Sequence, residues 1–549
     1  MPKEDYLVTI GLEVHCQLRT ASKMFCGCAV RYGDEPNTLT CPVCLGLPGA
    51  LPVLNAGAIE GTILAGMCLG CETPPLVKWD RKSYFYPDMP KNYQTTQFDL
   101  PLCLGGGVPL YESAYPKDWQ KKIVRPKHTI GLTRIHLEED VGKSTHHGTY
   151  STLDFNRAGT PLMELVSEPE IESAEEAVAY ITSLRQILVY AGLSDADMEK
   201  GQMRCDVNIS LRPPGQQEFG AKIELKNLNS LSAVRRAIHH EIERQSEELD
   251  LGIPQIQSTR RWDDERGETA VMRTKEDAHD YRYLPCPDLL PLHTADLITA
   301  ARKRIPELPH EKWARLVSGY QLSETTAEQL CSDRRISDYF EEGASYLMSS
   351  LNFRAISRLA NIVVNEMAAI LASKHFDFPR YLEHAKAEDQ RFNFGQFYNL
   401  PPESQLPIYP VFEFDPAIYA FEEELNEPDP APITIFSIPP SGMAYLSKEI
   451  EQGSLSGAMM KRDILPGMLF SGFHAGQIVK TKGLEQVSDT GFLDEIITQV
   501  LAANADAVEK IKAGNDKAIN ALKGQVMKLS QGKANPKVVG DLLEARLKR

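Results

Sequence analysis

A carboxylate, an imidazole and an amide stand two residues apart in the stretch from Tyr6 to Leu18, as Glu13, His15 and Gln17. Read as a strand, the stretch puts Val8, Ile10, Leu12, Val14 and Leu18 on one face and these three polar groups together on the other. Such a face can aim all three at one ligand, or it can be a solvated outer surface. Just downstream, Cys26, Cys28, Cys41 and Cys44 follow the spacing C-x-C-x12-C-x2-C. Two close pairs across a loop of a dozen residues suit a closed, structural tetrahedral zinc site; the plainer alternative is four unrelated buried thiols. A third group lies in Arg134-Ile-His-Leu-Glu-Glu-Asp140, with Glu164 and Glu168 behind it. Clustered carboxylates bind hard divalent cations through oxygen, and they are also ordinary solvated surface. The following Gly142-Lys-Ser-Thr145 resembles the end of a phosphate-binding loop, but Leu137 occupies the position where that motif requires glycine, so it is rejected.

Strands and helices must carry these groups. Met203 to Arg212 alternates, with Arg204, Asp206, Asn208, Ser210 and Arg212 on the polar side. After a Pro-Pro-Gly turn at Pro213, Ala221 to Lys226 alternates again, with Lys222, Glu224 and Lys226 facing the same way. The two runs predict an antiparallel pair whose polar face is either a phosphate-and-metal site or a set of cross-strand salt bridges. Helical spacing is read over Ser173 to Ala191 and Leu231 to Leu249. Up to about Cys286 the chain otherwise reads as strands and loops.

From about Pro287 the period turns helical, over 313–320, 325–331, 336–348 and 353–372. The segment from His375 to Pro440 breaks that pattern with aromatics and prolines, including an acidic Pro-rich run from Glu422 to Pro432. Helical spacing then resumes from Ser441 to the end, with a small helical tail over 489–503, 505–513 and 516–529, and Asn535-Pro536 opens a last helix. The 549 residues allow two to four domains. The apolar stretch from Leu45 to Gly70 is interrupted by Pro48, Pro52, Asn55 and Glu60, which excludes it as a membrane span. Glu4 and Asp5 fall where a leader's apolar region would begin, and eleven cysteines suit a reducing compartment, so a cytoplasmic protein is expected. A net charge of −16 excludes a protein that coats nucleic acid through bulk electrostatics. Glu509 to Arg549 nevertheless holds ten Lys/Arg against four Asp/Glu, a local net of +6. That tail is a nucleic-acid contact or a solvated helical surface.

Together these pieces resemble the GatB family, the activating subunits of tRNA-dependent amidotransferases. The resemblance is carried by Ile10 to His15, Glu35-Pro-Asn-Thr38, Cys41 to Gly49, Asp80 to Asp88, His136 to Asp140, Asn156 to Leu162, Arg204 to Arg212, Glu224 to Ser230 and Asp280 to Tyr283. Near the end it adds Gly524 to Lys528 and Gly532 to Pro536. It covers nearly the whole chain, with two departures: residues 375–440 have no counterpart in the usual pattern, and Leu284 and Cys286 replace residues that are more often Phe and Glu.

The resemblance implies an α+β protein and a carbon–nitrogen ligase. Residues 1–290 form an antiparallel-β-rich cradle with the active and zinc sites, 291–487 a helical domain with the atypical segment, and 488–549 a small helical tRNA-binding tail. ATP phosphorylates the side-chain carboxylate of Glu-tRNA(Gln) or Asp-tRNA(Asn), and ammonia displaces the phosphate. The ammonia comes from an amidase partner (GatA), and a small subunit (GatC) completes a heterotrimer; no glutaminase constellation is found in this chain. The implied magnesium site is His15, Glu139 and Glu164, with Glu13 beside it as a further catalytic residue. The implied nucleotide and amidation pocket is lined by Arg204, Asp206, Asn208, Glu224 and Lys226, and the zinc ligands are Cys26, Cys28, Cys41 and Cys44. The archaeal type of the subunit (GatE) carries a larger insertion elsewhere. A non-catalytic, zinc-containing tRNA scaffold is the rival from another class.

Overall fold

The computed structural model describes residues 6–125, 128–274, 281–348, 352–374, 376, 378–392, 411–412, 435–484, 490–512, 517–530, 534 and 536–547. The chain divides into two compact units, Met1–His310 and Glu311–Arg549. The first is β-rich and the second helical, an α+β combination.

A nine-stranded sheet organises the first unit. Its strands are β1 (Leu7–Gln17), β2 (Cys103–Leu104), β3 (Gly107–Leu110), β4 (His128–Glu139), β5 (Pro161–Ser167), β6 (Met203–Arg212), β7 (Ile223–Lys226), β8 (Ser258–Asp263) and β9 (Glu268–Thr274). The order is β9-β8-β7-β6-β1-β5-β4-β2, with β3 also on β4. All neighbours are antiparallel except β7 and β8. That parallel pair needs a crossover, and helix α3 (Leu231–Asp250) lies between the two strands in sequence. The β6–β7 pair predicted from alternation is present, with Asn208 opposite Glu224.

On β1 the alternation is clean: Ile10, Leu12 and Val14 are buried while Glu13, His15 and Gln17 are only half-buried. The apolar side joins one core with helices α1 (Ala56–Cys68), α2 (Ala174–Tyr190) and α3. Ser173 and Ser230 cap α2 and α3 by accepting from the N–H groups of Glu176 and Ala233, each cap being worth about 1 kcal/mol. Helix α1 escapes a reading by periodicity because it is buried nearly all round, from Ala58 to Cys68, and has no polar stripe to mark a face. Its Gly66 is required by close approach: a Cβ there would stand 2.4 Å from the Cys103 sulfur.

In the second unit the expected helices form at Pro309–Tyr320, Glu324–Leu330 and Arg334–Met348, the first of them beginning at the end of the β-rich unit. Phe353–Ala372 is helical with a π-helical turn at Ile362–Met367. It is the described segment long and apolar enough to cross a membrane, and its Ile356, Leu359, Val363, Met367 and Leu371 lie in this unit's main core. The tail helices Thr490–Ala503, Ala505–Lys512, Lys517–Leu529 and Pro536–Leu547 build a separate small core around Leu493, Ile497, Leu522, Val526 and Leu543. Of the aromatic segment, the helix Phe378–Phe392 and a two-residue pairing of Val411–Phe412 with Ile435–Phe436 are described. Phe376 and residues 437–440 are described as well; the rest, including the whole run from Glu422 to Pro432, lies outside the described residues, as do Asp280 and most of Gly532 to Asn535.

Candidate active site and cysteine centre

Strand pairing assembles the polar face row by row. His15 on β1 lies opposite Arg204 of β6 and Glu164 of β5, and Glu164 lies opposite His136 of β4. Four strands therefore contribute one cross-sheet line, Arg204–His15–Glu164–His136. The next line holds Glu13 opposite Asp206. Side chains directly across a pair are about 5 Å apart at Cβ, so these groups interact whatever else the site contains.

In the first group His15 Nε2 lies 3.3 Å from Glu164 Oε2 and 4.0 Å from Glu138 Oε1. His136 Nε2 lies 3.1 Å from Glu164 Oε2 and 3.6 Å from Glu138 Oε2. Burial disfavours charge on the imidazoles, but Glu164 and Glu138 outweigh it: His15 is raised above its usual pKa and His136 is raised to about 9. Reciprocally, burial pushes the two carboxyls up, and the histidines hold both below the ordinary range. The charge that two protonated imidazoles bring to these oxygens is the charge a divalent cation would bring. One imidazole nitrogen and two carboxylate oxygens, from His15, Glu138 and Glu164, lie within 4.8 Å of one another. This mixed N/O donor set fits magnesium, which keeps free positions for substrate oxygens.

Glu139 is not part of this group. Alternation along β4 sets His136, Glu138 and, just beyond the strand, Asp140 on the polar face and turns Glu139 to the other. There its carboxylate is paired with the Lys91 ammonium and accepts the Thr95 backbone N–H at 2.9 Å. Of the expected magnesium residues the fold thus brings His15 and Glu164 together, with Glu138 where Glu139 was expected. Glu138 was read within the acidic run but not as a member of this set, and His136 was not read as a site residue, although with β4 recognised as a strand their shared parity would have found them.

Glu13 belongs to a second group with Asp206 and Glu224, again within 4.8 Å. Lys226 Nζ sits 2.6 Å from Asp206 Oδ2 and 3.2 Å from Glu224 Oε1, and Thr259 Oγ1 donates to Glu224 Oε2 at 2.7 Å. Asn208 Nδ2 donates to Glu13 Oε1 at 2.9 Å. The five residues expected to line a nucleotide pocket therefore share one face. Arg204 is tied to Asp140 at 2.8 Å, and Gln17 Nε2 donates to the same carboxylate at 2.8 Å. Burial would raise the Asp140 carboxyl, but Arg204 and Arg157 hold it below the carboxylate range. Asp140 thus fixes the guanidinium at one end of the His15 row. Lys82, which no spacing along the chain singles out, carries its ammonium 4.8 Å from the Tyr281 ring. Burial works against that charge, and Glu138 and Glu164, with the two tyrosines, favour it.

The four cysteines gather in the loop after β1, every sulfur within 4.8 Å of the others and none in a disulfide. The Cys41 and Cys44 sulfurs are 3.9 Å apart, close to the roughly 3.8 Å edge of a tetrahedron with zinc–sulfur bonds of about 2.3 Å. Cys44 is lowered to about 5, chiefly by Cys26, with the Cys41 N–H and Lys23 also favouring the thiolate against burial. Four thiolates leave no open position, so the fit is to a structural zinc. Lys23 is fully buried and donates to Cys44 Sγ at 3.7 Å and to the Phe155 carbonyl at 3.1 Å.

A family model described as the GatB/GatE catalytic domain matches residues 8–300, which contain every group above, and one described as a GatB domain matches 418–547. The GatB-type chain of the aspartyl/glutamyl-tRNA(Asn/Gln) amidotransferase of Methylacidiphilum infernorum is 45% identical over 546 residues, 99% of each chain. Proteins of the same description from Moorella thermoacetica and Opitutus terrae are each 42% identical over 99% or more of both chains.

Proposed function

We propose, from the premise that this chain belongs to the GatB family, that it is the activating and amidating subunit of a tRNA-dependent amidotransferase. It converts Glu-tRNA(Gln) or Asp-tRNA(Asn) to the amide form using ATP and ammonia. The observation that carries the reading is the convergence of two donor groups, His15/Glu138/Glu164 and Glu13/Asp206/Glu224, on one polar face that also carries two ion-paired cations, Arg204 and Lys226.

A carboxylate resists direct attack by ammonia because oxide is a poor leaving group. Transfer of the γ-phosphoryl group to the side-chain oxygen, with departure of ADP, solves this. Ammonia then attacks the carbonyl carbon and phosphate leaves. In this reading His15, Glu138 and Glu164 would hold a magnesium ion, which would supply positive charge against the phosphate oxygens. Asp206, Asn208, Glu224 and Lys226 line the nucleotide pocket, with Lys226 supplying positive charge to phosphate oxygens. Arg204, oriented by Asp140, faces the reacting carboxylate, and Glu13 completes the second donor group beside Asp206. The cysteine centre holds a structural zinc.

Ammonia is supplied by an amidase partner subunit, and a small third subunit completes the complex. Residues 1–290, 291–487 and 488–549 serve as catalytic cradle, helical domain and tRNA-binding tail. Family members named for both aspartyl- and glutamyl-tRNA support either substrate.

The test is a reconstituted assay with amidase and small subunits, ATP, glutamine and glutamylated tRNA(Gln) or aspartylated tRNA(Asn), run beside His15→Ala. Conversion on the tRNA that disappears in the variant is the expected result. Absence of conversion with both tRNAs in a well-formed complex overturns it in favour of a non-catalytic scaffold.

A further inference from the structure

A two-stranded ribbon, Lys143–His147 paired with Tyr150–Asp154, belongs to neither the main sheet nor the core. Residues 143–152 are all exposed. In a chain of net charge −16, residues 143–153 contain no Asp or Glu, while Lys143, His146 and His147 fall within them. Asp154, at the root, is occupied: its Oδ1 accepts the N–H groups of Asn37 at 3.0 Å and Asn156 at 2.9 Å.

The exposed groups are also fixed in place. The His147 and Tyr150 rings stack with centroids 5.0 Å apart, Tyr150 remaining 62% exposed. His146 bonds Ser151 at 2.7 Å, and His147 bonds Thr152 at 3.2 Å. The root is clamped to the cysteine-bearing loop by Asn37 Nδ2 to the Leu153 carbonyl, Phe155 N–H to Asn37 Oδ1, and Leu39 N–H to Asn156 Oδ1. On its other side the Gly142 N–H donates to the Asp88 carbonyl at 2.9 Å. Asp88 lies in the middle of the loop 84–92, which exposes Phe85 and Tyr86, and Arg157 ties the root to the polar face by donating to the Gly142 carbonyl at 2.8 Å while lying 3.7 Å from Asp140.

A rigid, unacidic surface with an exposed ring stack and a cation, running from the rim of the polar face, has the makings of a single-stranded nucleic-acid platform: bases stack on aromatics while cations follow the phosphates. We propose that this ribbon binds the unpaired 3′ nucleotides of the substrate tRNA, with a base on the His147–Tyr150 stack and a phosphate at Lys143. The inference rests on the aminoacyl-tRNA reading above, since only a terminally charged RNA must bring its 3′ end to the polar face.

The experiment measures affinity of the assembled complex for intact tRNA and for the same tRNA trimmed of its unpaired 3′ nucleotides. Wild type is compared with His147→Ala/Tyr150→Ala and with Lys143→Gln, all at exposed positions. The double variant is expected to weaken intact tRNA roughly tenfold and to leave trimmed tRNA unchanged. Lys143→Gln is expected to lower the salt-dependence slope by about one. Equal weakening on both RNAs, or none on either, overturns the proposal. A photo-crosslinker in place of Tyr150 should label the 3′ nucleotides; labelling of a partner polypeptide instead overturns it and makes the ribbon a subunit interface. A wild-type complex that shows this 3′-end dependence but never amidates sinks the activity reading and keeps the contact.

Discussion

The cysteine centre and the polar face are both candidate cation sites, and they are built in opposite ways. The cysteine centre draws its four ligands from 19 consecutive residues, Cys26 to Cys44, on an irregular loop. The His15/Glu138/Glu164 group draws three donors from three strands, and Glu138 stands more than 120 residues beyond His15. One is closed by thiolates and screened by the buried Lys23. The other leaves coordination positions free and sets two histidines against carboxylates that favour their charged form. The contrast teaches what each is for: a closed thiolate set holds a loop in shape, whereas an incomplete N/O set is useful because something else must bind there.

The strongest test of this contrast empties the closed site. Cys41→Ala with Cys44→Ala should take zinc from about one per chain to none and unfold the loop. Structural zinc binding is worth about 10 kcal/mol or more, so a clear fall in Tm is expected beside metal analysis. A reduced, folded wild type without zinc breaks the comparison at its root. At the open site, Glu164→Gln should cut amidation roughly 10²–10³-fold while zinc content stays at wild type and Tm falls less than on emptying the cysteine centre, because His15 and His136 can shed their protons once the carboxylate is gone. A large loss of Tm with little loss of rate would reverse the two roles.

The neighbours on β4 sharpen the comparison further. Glu138→Gln should weaken manganese binding, read by titration, since a carboxylate of the donor set is lost. Glu139→Gln should leave that binding intact and destabilise the fold by about 3 kcal/mol, because the Lys91 charge is left unpaired in a buried setting. The reverse pattern would mean that β4 presents its other face. The smallest effect expected is at the edge of the closed site. Lys23→Met removes the N–H donor to Cys44 and should lower zinc affinity about 10- to 100-fold in a chelator competition, with amidation by the zinc-loaded complex unchanged.

The same contrast explains what the sequence disclosed. Cysteine spacing is a local signal, so the centre was legible before any fold was known. The polar side of β1 was legible too, because period-2 alternation from Val8 to Leu18 separates Glu13, His15 and Gln17 from the apolar face. Which carboxylate of Glu138 and Glu139 joins them depends on the parity of a different strand, and adjacent residues of one type give no clue to it. The family resemblance favoured Glu139, whereas strand geometry puts Glu138 in the group. Helix α1 was illegible for the complementary reason: burial on every side erases the amphipathic period. His136 and Lys82 gained their significance only from pairings and approaches across the sheet, which spacing along the chain does not encode.

The place of β1 has a consequence for how this protein is made. It leaves the ribosome well before either partner that flanks it, because β5 and β6 lie about 150 to 200 residues downstream. At roughly 5–20 residues per second, that separation leaves it unpaired for about 10–40 s in every synthesis. Its apolar side chains and open hydrogen-bonding edges are the groups most prone to wrong partners in that interval. The strand that carries Glu13 and His15 is therefore exposed to mispairing until residues 161–212 have been made, and chaperone demand during translation should cover that interval.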